Sequence, residues 1–145
     1  MFDYCLVDAP PQRSQICLTV IGASDALILP IEASVKGLQS LIRTLELIRE
    51  LKDDQEAFNG VILGVVPFRD RWVGLRRTNE SQSNIESMKQ IMQESFDEDL
   101  ILPSIRESEK FKQAINRQQT LHEMGHGDLA YPIEILVEKI LKLGS

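Results

Sequence analysis

Only two cysteines, Cys5 and Cys17, occur in the 145 residues. That is too few for a disulfide framework, and both are expected as reduced core thiols. No stretch approaches the roughly 18 consecutive apolar residues of a bilayer span, so no membrane role is expected. No basic region followed by an apolar core opens the chain, and a cytoplasmic location is expected. Positive charge is also short: 16 basic against 22 acidic residues leave a net charge of −6. This excludes a globally basic nucleic-acid binder and leaves room only for a local patch. Internal repeats, low-complexity tracts and interdomain linkers are absent. With 43% hydrophobic and 26% charged residues, a single domain over residues 1–145 with a sizeable core is expected.

What is present alternates strand and helix patterns. Tyr4, Cys5, Leu6 and Val7 form an apolar run without alternation, the pattern of a strand buried on both faces of a parallel sheet. Asp8 ends the run, and Ala9, Pro10 and Pro11 stop the strand, because proline lacks the amide donor a ladder needs. A carboxylate at the carboxyl end of a buried strand sits where open α/β sheets place ligands. Ser14 then caps a helix running to about Gly22. The apolar run from Ala26 to Ile31, closed by Pro30, is the next strand. Ser34 opens the clearest helix, with Leu38, Leu41, Ile42, Leu45, Ile48 and Leu51 on one stripe.

A third strand covers Gly60 to Val66 and ends at Pro67; residues 68–80 read as an arginine-rich loop. Ser83 and Glu86 match a capping box for the helix that follows. Leu100–Leu102 is a brief strand ended by Pro103, a helix covers about Glu107 to Arg117, and a last helix runs from near Asp128 to Leu143, with Pro132 expected in its first turn. The expected fold is α/β: a partial, doubly wound parallel sheet of about four strands with flanking helices. Rigid turns at Pro10, Pro67 and Pro103 fall at one end of that sheet, where the site is expected.

The segment Tyr4–Pro11 resembles the Walker B and switch II region of the ParA/MinD-type deviant Walker ATPases. Several features follow in register: Ser24–Asp25 before the run ending at Pro30, Gly37–Leu38 at a helix start, Gly64–Arg71 after the next strand, and Leu102–Arg106 as a proline-containing nucleotide loop. The resemblance covers essentially the whole chain and is strongest to chromosome- and plasmid-partitioning ParA proteins. It implies a P-loop NTPase-like fold without the P-loop strand, since no G-x-x-x-x-G-K-[ST] segment or deviant form of it occurs. The family's cofactors are ATP and Mg²⁺. Without a phosphate loop the chain is expected to lack appreciable ATPase activity by itself, and to bind no cofactor if the rest of the site is not supplied. Two origins remain open: the carboxyl-terminal part of a ParA-type ATPase, or a non-enzymatic regulatory module derived from one.

By the resemblance, Asp8 is the catalytic carboxylate that holds Mg²⁺ through water. Pro10 and Pro11 belong to the switch, and Pro67, Phe68, Asp70, Pro103, Ile105 and Arg106 line the nucleoside end. The family binds DNA without sequence preference, which makes Arg69, Arg71, Arg76, Arg77, Lys110, Lys112 and Arg117 candidate phosphate contacts, with Trp72 placed to pack or stack among them. Weak, salt-sensitive DNA binding and a ParB-like adaptor are the implied partners. In such sheets the phosphate-loop strand lies between the Walker B strand and the next one. Its absence leaves either direct pairing of residues 3–8 with 26–31 or a second chain supplying the missing partner; of the two, a homo-oligomer is expected, with strand exchange as one route. A separate motif, His122–His126, matches H-E-x-x-H and raises the remote alternative of a zinc metallopeptidase, although Gly125 and Gly127 disfavour the helix it requires.

Overall fold

Ser34 shows how local chemistry sets this architecture. Its backbone is extended and its Oγ accepts the Gly37 amide at 3.1 Å, satisfying one of the donors a helix start leaves open. Helix α2 (Val35–Arg49) follows and buries Leu41, Leu45 and Ile48. Ser14 does the same for α1 (Gln15–Ala23), accepting the Cys17 amide at 3.2 Å. The computed structural model describes residues 2–10, 13–54, 56–96 and 99–144; Pro11 lies outside them.

Strands β1 (Ala26–Glu32) and β2 (Val61–Phe68) pair in parallel, with one register shift between Leu27 and Ile28. Both continue past the prolines expected to end them. Ala33 donates to the Phe68 carbonyl at 2.9 Å and the Asp25 carbonyl accepts from Val61 at 3.0 Å, so the odd residues of β1 face β2. Pro30 thereby falls on the outer edge, where a missing amide forfeits no ladder bond. Along the other side of β2 runs the segment 100–107. Ile101 bridges Val65 and Arg106 bridges Asp70, both in parallel. Gly64 permits that approach, because a Cβ there would meet the Leu102 side chain at 2.7 Å.

The result is the expected parallel sheet with flanking helices, but smaller, with two full strands and a bridged third segment among the described residues. Helix α3 (Asn79–Phe96) packs on α2, and Ile85, Met88 and Met92 join Leu41, Leu45, Ile48, Leu29 and Val65 in the core. Gly37 lets the first turn of α2 press on the end of β1; an added Cβ would collide with the Glu32 carbonyl oxygen. One π-helical turn, Glu50–Asp54, carries the chain from α2 toward β2.

Several sequence expectations are corrected. Residues 4–7 form no strand: Leu6 is 77% and Val7 59% exposed. A strand buried on both faces needs neighbours to satisfy its backbone, and no strand pairs with this segment among the described residues; the Tyr4 hydroxyl donates to the Leu141 carbonyl at 3.1 Å. The arginine-rich loop contains a hairpin, β3 (Trp72–Val73) and β4 (Arg76–Arg77), turning at Gly74 with φ +60°. Helix α3 starts four residues before Ser83, and Thr78 caps it by accepting the Ser81 amide at 3.3 Å. Ile42 lies on the exposed side of α2. Helix α4 (Lys110–Arg117) is shorter than expected, and Pro132 lies buried inside α5 (Gly127–Leu143), beyond its first turn. There it removes one helix hydrogen bond.

Candidate functional site

The residues expected at the nucleoside end do come together. Where β2 finishes, the Ile105 amide donates to the Pro67 carbonyl at 2.8 Å, the Asp70 amide to the Ile105 carbonyl at 3.1 Å, and the Glu107 amide to the Asp70 carbonyl at 3.0 Å. Pro67, Phe68, Asp70, Pro103, Ile105 and Arg106 thus line one continuous edge at the carboxyl end of the parallel sheet, the place open α/β sheets offer to ligands. Pro67 and Asp70 are buried, whereas Phe68, Pro103, Ile105 and Arg106 are half-buried. An open apolar cleft of about 240 Å³ lies at the opposite end of β2, lined by Ile48, Phe58 and Val61 among others. It has no part in this edge.

Asp70 is fully buried and serves the protein's own donors. Its Oδ2 accepts from Trp72 Nε1 at 2.9 Å, Arg77 Nε at 2.9 Å and Ser104 Oγ at 2.5 Å; Arg77 Nε also reaches Oδ1 at 3.1 Å. Arg77 Nη2 donates to Ser104 Oγ at 3.2 Å. A buried carboxylate persists only when paired and hydrogen-bonded, and here both conditions are met. Two guanidinium groups lie against the Trp72 indole, Arg106 at 3.7 Å and Arg77 at 5.3 Å from the ring centroid. The preceding residue, Arg69, holds φ +52°, a conformation that costs a non-glycine residue on the order of 1 kcal/mol and persists only where its surroundings impose it.

Ser104, which the sequence did not single out, is the residue whose hydroxyl ties this edge to Asp70 and Arg77. Its only signal in the sequence is a small hydroxyl directly after a strand-ending proline. The Walker-type residues stand apart. Asp8 and Pro10 are exposed on the segment 2–10, and no hydrogen bond or ion pair joins Asp8 to the edge among the described residues.

The expected arginine patch is largely committed to carboxylates. Arg77 pairs with buried Asp70 at 2.9 Å, Arg71 with Glu107 at 3.2 Å, Arg69 with Glu32 at 3.7 Å and Lys112 with Glu109 at 3.5 Å. Lys110 donates to Gln113 at 3.1 Å. Among the described residues, only Arg76 and Arg117 of the seven have neither an ion pair nor a hydrogen bond from the side chain. The exposed pairs are individually weak, so they leave the outer cations able to exchange partners, but Arg77 is held in the interior.

The H-E-x-x-H segment is not helical. Residues 121–125 form a turn, with Gly125 at φ +76°, so the two imidazoles do not share a helix face. His122 Nε2 contacts the Glu134 carboxylate. Glu123 accepts from the Thr120 amide at 2.7 Å and its hydroxyl at 2.9 Å, and these bonds hold its carboxyl below the usual range. No group of three His, Cys, Asp or Glu side chains able to hold a metal exists among the described residues. The zinc-site premise is therefore corrected.

With this geometry established, known proteins give the context. A family model described as an AAA domain matches residues 1–57. The maintenance of carboxysome distribution protein A (McdA) of Synechococcus elongatus is 50% identical over 139 residues, covering 96% of this chain and 53% of that protein. The sporulation initiation inhibitor protein Soj of Bacillus subtilis is 24% identical over 111 residues, covering 74% of this chain and 41% of its own length. Among solved structures, the ATP complex of a Cyanothece McdA superposes with a TM-score of 0.83 at 47% identity, covering 94% of this chain and 51% of that one. The chain thus spans about half the length of these carboxysome-distribution relatives.

Proposed function

The chain belongs to the ParA/MinD-type deviant Walker ATPases, and from that premise we propose that its 145 residues carry the nucleoside end and the partner-facing surface of a cargo-positioning ATPase like the carboxysome-distribution proteins. The observation that carries the reading is the edge formed by Pro67–Asp70 and Pro103–Arg106, hydrogen-bonded into one unit at the carboxyl end of the parallel sheet. Two prolines and a bridged backbone present a pre-shaped edge, which lowers the ordering cost of binding a planar base.

The phosphate end is different. No segment of the 145 residues has the glycine and lysine pattern that cradles phosphates, and Asp8 lies on an exposed stretch with no tie to the nucleoside edge. ATP with Mg²⁺ supplies phosphoryl-transfer chemistry when bound in an intact site. The residues here fit only the base and ribose of such a ligand, so no hydrolytic step is assigned to them. The reading favours positioning of a cargo through an adaptor over DNA segregation, because the relatives about half identical to this chain over 139 residues are named for maintaining carboxysome distribution. Non-specific DNA binding by this chain is proposed to be weak and steeply salt-dependent.

A phosphate-release assay on the purified 145-residue chain, with Asp8→Ala as control, tests the absence of turnover. The expected result is no release above background. Turnover that tracks the protein through purification and vanishes in Asp8→Ala would overturn it. Calorimetric titration with ADP tests the nucleoside edge, with an affinity on the order of millimolar expected for a half-site; no heat of binding at that concentration would sink the edge as a nucleoside site.

A further inference from the structure

We propose that Asp70 is a positioning residue for the nucleoside loop, and that Trp72 couples the state of that loop to the neighbouring hairpin. This rests on the nucleoside-edge reading and goes beyond it, because Asp70 itself is inaccessible to a ligand. Three parts of the chain converge on its carboxylate: the hairpin through Trp72 Nε1 and Arg77 Nε, the loop through Ser104 Oγ, and, by its own backbone, the extension of β2. Its amide and carbonyl are both spent on the loop, at Ile105 and Glu107. Arg77 closes the ring by donating to Ser104 Oγ at 3.2 Å.

The carboxylate therefore sets where Ser104 and Ile105 sit, and with them the backbone that a base would meet. Ring closure by a charged group is stronger than the sum of neutral bonds, and it leaves the loop one arrangement in place of several. Arg69, directly before Asp70, has a left-handed backbone with φ +52°, a conformation that persists only where the surroundings impose it. Arg106 gives the coupling. Its guanidinium rests 3.7 Å from the Trp72 ring centroid while its backbone belongs to the nucleoside edge. A ligand that draws Arg106 toward itself lifts a cation off the indole, and the hairpin whose base is Trp72 loses a contact. Removing the Asp70 charge uncouples the two even when the fold survives.

Trp72 is the only tryptophan in the chain, so its emission reads the coupling directly. The full 145-residue chain is titrated with ADP and with GDP, following both heat and Trp72 emission, for the native sequence, Asp70→Asn, Ser104→Ala and, as a distant control, Arg43→Ala. The native chain and Arg43→Ala are expected to bind ADP with a change in emission and a preference over GDP. Asp70→Asn is expected to weaken ADP binding roughly tenfold, the scale of one lost charge-assisted hydrogen bond, to erase the emission change and to bring the ADP-to-GDP ratio toward one. Ser104→Ala, which leaves the Asp70–Arg77 pair in place and serves if Asp70→Asn does not fold, is expected to shift the same readouts about threefold. A folded Asp70→Asn or Ser104→Ala with native affinity, ratio and emission response overturns the positioning role and leaves the nucleoside edge standing. A native chain that binds no ADP removes both.

Discussion

Two stretches of this chain read almost alike as sequence, an apolar run, a proline and a nearby carboxylate, yet they end in opposite states. At residues 61–70 the run is a strand, its proline is buried, and the carboxylate of Asp70 anchors three chain segments. At residues 4–10 the run forms no strand, nearly all its side chains are exposed, and Asp8 has no hydrogen bond or ion pair among the described residues. The difference lies in the neighbours. Val61–Phe68 has β1 on one side and residues 100–107 on the other, so its backbone finds partners on both edges. Among the described residues the earlier run pairs with no strand, and Tyr4 bonds to the end of α5. Apolar composition marks a segment as able to be a buried strand; flanking strands make it one.

The sharpest way to break the comparison is to remove apolar volume from each region. Leu41 is fully buried under the sheet, and Leu41→Ala is expected to cost about 3 kcal/mol in urea denaturation. Leu6→Ser, in the unpaired run, is expected to stay within about 0.5 kcal/mol. A comparable loss for Leu6→Ser would show that residues 4–7 are packed in solution and would restore the strand.

The outer edge of β1 is the next test, since no strand covers it among the described residues. Unpaired edges attract further strands, and self-association through this edge is the expected outcome, read as a concentration-dependent mass in light scattering. Ile28 presents its backbone to that edge together with Pro30, and Ile28→Lys is expected to weaken the association about tenfold. A strict monomer at high concentration counts against the edge as an assembly surface.

A smaller effect separates two caps. Thr78→Ala is expected to cost about 1 kcal/mol, because Thr78 accepts the Ser81 amide at the start of α3. Ser83→Ala is expected to be near neutral: Ser83 lies inside the helix on an exposed face. Equal losses in thermal unfolding would return the helix start to Ser83, where the sequence motif placed it.

These contrasts show what was legible and what was not. β1, β2, α1, α2 and α5 follow from apolar runs and from Ser14 and Ser34 as caps, all properties of neighbours in sequence. Rigid turns at Pro67 and Pro103 pointed to one end of a parallel sheet, and the resemblance to the ParA/MinD-type ATPases set Phe68, Asp70, Ile105 and Arg106 beside them. The Asp70 ring followed from neither, since it joins residues 70, 72, 77 and 104, and the 34-residue separation of Asp70 from Ser104 leaves no local pattern. Ser83-x-x-Glu86 matched a capping box that the chain does not use, because Thr78 supplies a cap earlier. The arginine loop looked like a cationic surface because sequence shows charges and not which of them pair: Glu107 and Glu32 come from elsewhere in the chain, and Asp70, within the loop itself, is buried against Arg77.

The smallest expected effect distinguishes the turn at residues 120–125 from both regions, because it is held by an ionised side chain in solvent. The Thr120 amide and then the Thr120 hydroxyl hold the Glu123 carboxyl below its ordinary value of 4.5. A folded-state pKa that is depressed contributes stability fully present above the unfolded value, and that contribution is lost as pH falls through the folded value. The turn is therefore expected to be intact at neutral pH and to loosen only below pH 4.5. Exchange of the Thr120 amide should accelerate there relative to amides of β2, after correction for intrinsic rates. Glu123→Gln should already show the faster exchange at pH 7 and lose the pH dependence, since an amide oxygen accepts the same bonds more weakly than a carboxylate. If Glu123→Gln exchanges like the native chain across this range, the turn is held by its backbone bonds, Gly125 to His122 and His126 to Leu121, and the carboxylate is incidental.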